Sequence, residues 1–257
     1  MLFRTDMADE RRDIYKNANE LEDEVEGIQY EVDVVKDEVK ITRVKVLDER
    51  GKKALNKDIG NYITIDCKKV TNLDEKTEKN ITQIISIELK KLIKNLCNPE
   101  DEVLVVGLGN ENLVVDSLGS KVIDNIEVTR HIKKYYPEYL RENERSVSAI
   151  SPGVMGLTGL ETIEVIKGIV EKTHPKLVIA IDSLASKSID RISKSIQITD
   201  TGIVPGGGVQ NSQKVLNKES LNVPVIAVRN SNCYWKRSYS KWSYWSFYWK
   251  ATRRRKI

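Results

Sequence analysis

The sequence predicts an α/β fold: a mainly parallel central sheet flanked by helices, with a β-rich N-terminal part. Three observations predict it. The runs "EVLVVGLG", "KLVIAID" and "VPVIAV" are almost continuously apolar, as strands covered on both faces must be. Segments with helical periodicity alternate with these runs, which implies right-handed crossovers within one sheet. Ahead of them, from Gly27 to Cys67, "VKITRVKVL" and "NYITIDC" alternate apolar and polar residues, the pattern of half-buried antiparallel strands.

The elements run in order along the chain. Through about Glu24 the chain is dense in charge and poor in aliphatics, which reads as a flexible or surface-lying arm. The stretch "DERGKK" reads as a turn between the antiparallel strands. From Asp74 to Cys97, Ile81, Ile84, Ile85, Leu89, Leu92, Ile93 and Leu96 form the stripe of an amphipathic helix, with Asp74 as N-cap and Pro99 just beyond the end. "EVLVVGLG" is then a strand, "SKVIDNIEVTRHIKKYY" a helix and "SVSAISPGV" a strand. "TGLETIEVIKGIVEKT" is a helix whose Thr158 and Glu161 have capping-box spacing. "KLVIAID" and "VPVIAV" complete the strands.

The segment 231–257 departs from everything before it. It holds all four tryptophans, Trp235, Trp242, Trp245 and Trp249, and ends in Arg253, Arg254, Arg255 and Lys256. Interleaved aromatic and basic residues suit a nucleic-acid surface or a membrane-surface tail. A slipped reading frame near Arg229 is the more economical reading, because Ser-Asn-Cys can be coded by triplets whose neighbouring frame reads Pro-Thr-Val.

Composition narrows the function. The chain has 257 residues, 40% of them hydrophobic, and 42 basic against 38 acidic side chains, a net +4 too small to imply a polyanionic partner for the body of the protein. Three scattered cysteines, Cys67, Cys97 and Cys233, support neither a disulfide framework nor a zinc ribbon, so a reducing cytoplasm fits best. No apolar run approaches the roughly 20 residues of a membrane helix, and no membrane partner is expected.

The residues that could carry chemistry collect beyond strand ends, where ligands bind in sheets of this kind. Asp116 follows the strand ending near Val106, and Asp182 stands at the end of "LVIAID". Two carboxylates in one site repel, so one keeps its proton at higher pH than the other. Such a pair can both activate a water and protonate a leaving amine. The alternative is that Asp116 caps a helix opening at Ser117 and Asp182 one beginning near Ser183. His131 could join both aspartates as a metal ligand, or stand on a helix surface with no such task. His174 reads as structural.

"GLGNEN" is not a dinucleotide fingerprint, since Leu113 stands where its third glycine belongs. Gly107 and Gly109 instead let the backbone turn beneath the site, beside Asn110. "PGGGVQN", with Gly206 and Gly207, lacks the Gly-Lys-Ser/Thr of a phosphate loop and reads as a flexible loop near substrate. No cofactor is expected.

"RTDMADE", "VVGLGN", "DSLGSKVIDN", "TRH", "SAISPGVMGLTGLET", "VIAIDSLASKSIDRI", "IQITDTGIVPGGGVQN" and "VPVIAV", in order from about Arg4 to about Val228, strongly resemble the germination protease family of spore-forming bacteria. The resemblance implies an endopeptidase that degrades small acid-soluble spore proteins at germination, as a homotetramer in the cytoplasm of the spore core. It implies no direct nucleic-acid partner, and a distant fold relationship to hydrogenase maturation endopeptidases. It assigns the catalytic pair to Asp116 and Asp182, as a metal-free pair or as holders of an ion. Gly107, Gly109, Asn110, Gly153, Gly206 and Gly207 become candidates for substrate binding. It further implies a zymogen that clips itself at a substrate-like sequence. Thr5-Asp6-Met7-Ala8-Asp9-Glu10 fits, so cleavage is expected between Asp6 and Met7, dividing a propeptide, 1–6, from a peptidase domain, 7–230. After "VPVIAV" the family continues with a Gly-x-Pro-Thr-Val-Val-Asp-like block that this chain lacks.

Overall fold

A computed structural model of the chain describes residues 5–35, 39–67, 75–140, 144–184, 186–205 and 215–231, with Ile189 described through its backbone alone. Asp74, Gly206, Gly207, Cys233 and the Trp-rich segment lie outside the described residues.

The alternating N-terminal segments pair as expected. Strands β1 (Ile28–Val35), β2 (Val39–Val46) and β3 (Gly60–Asp66) run antiparallel, and β3 pairs antiparallel with β7 (Ser195–Thr199). The apolar runs become β4 (Val103–Gly107), β6 (Leu177–Leu184) and β8 (Val225–Ser231), which lie parallel together with β5 (Val147–Ile150). One antiparallel pairing, β7 to β8, joins the halves into an eight-stranded sheet of order β1-β2-β3-β7-β8-β6-β4-β5.

Alternation along each strand sorts the side chains to two faces. One face receives helix α3 (Glu75–Lys94), whose Ile81, Ile84, Leu89, Leu92 and Ile93 are buried against Ile41, Ile63, Ile179, Ile198 and Val228. Each such side chain contributes roughly 1.5–3 kcal/mol on burial. Glu88 on the same helix is buried too, and Arg43 at 2.7 Å and Lys91 at 2.8 Å neutralise it. The opposite face carries two separate apolar clusters. Helix α7 (Thr162–Thr173) buries Ile166 and Val170 over Leu104, Val106, Val178 and Ala227, while Ala8, Val25, Leu55 and Tyr62 gather over Val44 and Val46.

Several local expectations need correction. The charged N-terminal stretch is not a free arm: it forms helix α1 (Ala8–Ala18) and buries Ala8, Asp9 and Arg12. Arg12 is held there by Glu24, which accepts from its Nε at 3.0 Å, and by the Tyr30 ring, 3.6 Å away. "DERGKK" is not a bare turn but the start of helix α2 (Glu49–Leu55), because Asp48 accepts from the backbone N–H groups of Arg50 and Gly51 at 2.9 and 3.1 Å. "SKVIDNIEVTRHIKKYY" splits into α4 (Leu118–Ile123) and α5 (Arg130–Tyr135). After the short helix α6 (Met155–Thr158), α7 begins three residues later than the Thr158 box implies. Glu164 reaches back to the Glu161 N–H at 3.0 Å. His174 ends α7 in the left-handed conformation, a structural role as expected.

Candidate functional site

Asp182 lies within β6, which continues through Leu184, so no helix starts at Ser183 and Asp182 is not a cap. Its neighbours in register form a row: Asp182 faces Arg229 on β8, Arg229 faces Gln197 on β7, Gln197 faces Thr64 on β3, and Thr64 faces Thr42 on β2. All five side chains are buried, on the face that carries the two separate clusters. A buried polar side chain is costly unless something hydrogen-bonds it, so such a row calls for a polar occupant.

The occupant is the chain's own N-terminus. Met7 and Ala8 are fully buried. The Asp6 carboxylate accepts from Arg229 Nη2 at 2.9 Å, and the Asp6 carbonyl accepts from Lys57 Nζ at 2.7 Å. With the Gln197 amide turned so that both its ends are satisfied, its nitrogen donates to the same carbonyl at 3.3 Å and its oxygen accepts from the Ala8 N–H at 3.1 Å. Further along, Asp9 and Asp66 share Arg191 Nη2 at 2.5 and 2.8 Å. Glu10 accepts from Ser186 Oγ and the Lys187 N–H, each at 2.9 Å, and from the Thr5 hydroxyl.

Asp116 is brought to this end of the sheet by a tight loop. Gly109 takes φ +103°, and a Cβ there would stand 2.0 Å from the Asp116 carbonyl oxygen. A Cβ on Gly107 would meet the Gly119 carbonyl oxygen at 2.3 Å, so glycine at both positions lets α4 and the loop close onto β4. The Asn110 N–H donates to Asp116 Oδ2 at 2.8 Å, and Ser183 Oγ, next to Asp182, donates to the Val115 carbonyl at 3.2 Å. Asp116 therefore turns back into its own loop instead of capping α4, which opens at Ser117.

Burial sets the electrostatics. It pushes the Asp182 carboxyl up to about 6; Arg229 and the Ser183 N–H oppose the rise, while Asp116 and Asp6 add to it. The Asp116 carboxyl is also raised, by burial against the bond from Asn110. Lys57 is pushed down to about 8, first by burial and then by Arg229 and Arg11, against the pull of Asp6 and Asp58.

The structure thus puts Asp116 and Asp6 close enough to Asp182 for their charges to be felt there, with Gly107, Gly109 and Asn110 shaping the Asp116 loop. Gly153 turns the chain between β5 and α6 at φ +73°, its carbonyl accepting from the Thr162 hydroxyl at 3.4 Å. His131 is exposed on α5. Among the described residues, no group of three His, Cys, Asp or Glu side chains is placed to hold a metal ion. Lys57, Gln197 and Arg191 were not legible as site residues. The one available signal was a glutamine between two isoleucines in "SIQIT".

Fold and site define a mixed α/β protein that sets a buried carboxylate near the carboxyl end of one parallel strand and a half-buried one in the loop after another, beside a peptide segment lying across a row of buried polar side chains. The chain belongs to the germination protease family, whose model matches residues 4–232. It is 45% identical over 226 residues to a germination protease of Clostridium perfringens, covering 88% of this chain and 68% of that one. To a germination protease of Caldanaerobacter subterraneus it is 48% identical over 230 residues, covering 88% and 67%. Among solved structures, the [NiFe] hydrogenase maturation protease HycI of Thermococcus kodakarensis matches at 15% identity and a TM-score of 0.37, over 63% of this chain and 97% of that one. That likeness is too weak to argue from.

Proposed function

We propose that this protein is an endopeptidase that cuts small acid-soluble spore proteins at germination and activates itself by cutting between Asp6 and Met7, with Asp116 and Asp182 as the catalytic pair. The observation that carries the reading is the seating of Thr5–Glu10 across the buried polar row, with the Asp6 charge felt at Asp182. The segment pairs acidic side chains with cations and buries the apolar residues between them, which is how a substrate of the same pattern would be read.

The chemistry rests on the two raised carboxyls. With one ionised and the other protonated, the first takes a proton from water as the water oxygen attacks the Asp6 carbonyl carbon, and the second supplies one to the departing Met7 amine. An ion held by the same pair would activate the water instead. No helix among the described residues is long and apolar enough to cross a membrane. We place the protein in the spore-core cytoplasm, as a homotetramer, on the strength of the family resemblance.

The test is incubation of the purified protein with a small acid-soluble spore protein, mapping any cut by mass. Cleavage after an acidic residue is expected. A substrate left whole by the self-cleaved protein would defeat the substrate assignment.

A further inference from the structure

We infer that Lys57 and Gln197 form the site that binds the oxyanion during peptide cleavage, holding the carbonyl oxygen of the bond to be cut. The inference rests on the reading of Asp6–Met7 as the scissile bond. Two donors from separate elements converge on one carbonyl: Lys57, between α2 and β3, at 2.7 Å, and the Gln197 amide from β7, at 3.3 Å. The other end of Gln197 takes the Ala8 N–H at 3.1 Å, so a single side chain grips the backbone on both sides of Met7.

A half-buried lysine spent on a neutral carbonyl is only partly compensated in the resting state. The arrangement becomes favourable when that oxygen carries charge. As the water oxygen bonds to the Asp6 carbonyl carbon, the π electrons move to the carbonyl oxygen, where an ammonium and an amide N–H already point. When the carbon–nitrogen bond breaks, those electrons re-form the carbonyl and the Met7 nitrogen leaves as an amine after taking a proton from a carboxyl group. The products are a free Asp6 carboxyl and a free Met7 amine. Donors fixed in place before the charge develops lower the barrier most in a site closed to water.

Three other features fit this role. Lys57 sits above the face of the Tyr62 ring at 5.8 Å, which steadies its position. Gln197 is buried in the middle of a strand, where its rotamer has little freedom. Its neighbour in register, Thr64, contributes a hydroxyl to the same row.

The test uses the full-length protein and follows self-cleavage by intact mass. Lys57→Met should slow the cut by about 10²- to 10³-fold, the usual cost of one oxyanion donor. Lys57→Arg, which keeps a donor and its charge, should recover part of the rate. Should Lys57→Met fail to fold, Gln197→Met, a substitution of similar shape without the amide, carries the same test through its own loss of rate. Wild-type protein cut between Asp6 and Met7, with Lys57→Met and Gln197→Met folded and cut at the wild-type rate, would overturn the oxyanion site alone. Wild-type protein that stays whole or is cut elsewhere would overturn the reading of Asp6–Met7 itself.

Discussion

The two halves of the sheet do different work. The parallel half, β5-β4-β6-β8, carries Asp182 within β6 and Asp116 in the loop after β4, the groups whose proton affinities burial has raised. The antiparallel half, β1-β2-β3-β7, with the Lys57 loop, contributes side chains that hold the N-terminal segment, Lys57, Gln197 and Thr64, while its Asp66 shares Arg191 with Asp9. The proposed catalytic aspartates lie on the parallel half, while the grip is shared, since Arg229 of β8 also holds Asp6. The join between β7 and β8 puts the halves side by side, so neither half alone is a site.

The division can be broken most severely from the reactive side. Asp182→Asn and Asp116→Asn should each lower self-cleavage by about 10³-fold or more, read by intact mass, with the sheet intact by circular dichroism. Either variant cutting at the native rate would remove that aspartate from the chemistry. On the gripping side, Arg191→Gln leaves the buried Asp9 carboxylate without its partner. It should cost about 3 kcal/mol in urea unfolding, the usual penalty for breaking one side of a buried pair. A loss below about 1 kcal/mol would mean that α1 docks without it.

A smaller effect sharpens the contrast through pH. The folded-state value for Asp182, about 6, lies above its ordinary value of 3.8, so the native protein holds a proton there that the unfolded chain has already lost. Stability should therefore fall as pH rises from about 4 to about 6 and stay level above. Asp182→Asn removes that fall and should be more stable than wild type near pH 7, by on the order of 2 kcal/mol. Denaturant titrations at pH 4 and pH 7 check the sign. The smallest effect is expected at His131, exposed on α5: His131→Ala should leave cleavage and unfolding unchanged.

Much of this arrangement was legible in the sequence. Period-two alternation marked β2 and β3, continuous apolar runs marked β4, β6 and β8, and the 3.6-residue period marked α3 and α7, because in those elements burial is carried largely by aliphatic side chains. Helix α1 escaped because what it buries is largely polar: Asp9 and Arg12 lie inside only through Arg191 and Glu24, partners far away or round a turn. Helix α2 escaped because a seven-residue helix containing Gly51 shows too little apolar pattern. Asp116 and Asp182 could be marked as strand-end carboxylates, whereas Lys57 and Gln197 depend on registers between strands that local spacing does not encode.

Arg229 and Asn230 illustrate the same limit from the other direction. Among the described residues, Arg229 Nε and Asn230 Oδ1 are buried without a partner. Each such atom costs about 1–3 kcal/mol.

The seating of Thr5–Glu10 has a kinetic meaning. A segment tethered to its own groove meets the carboxylates at an effective concentration in the millimolar range or above, whatever the dilution of the protein. Its scission should therefore be first order and insensitive to dilution. Foreign polypeptides, competing with a tethered rival, should gain entry only once the tether has been severed and its bound piece has diffused away.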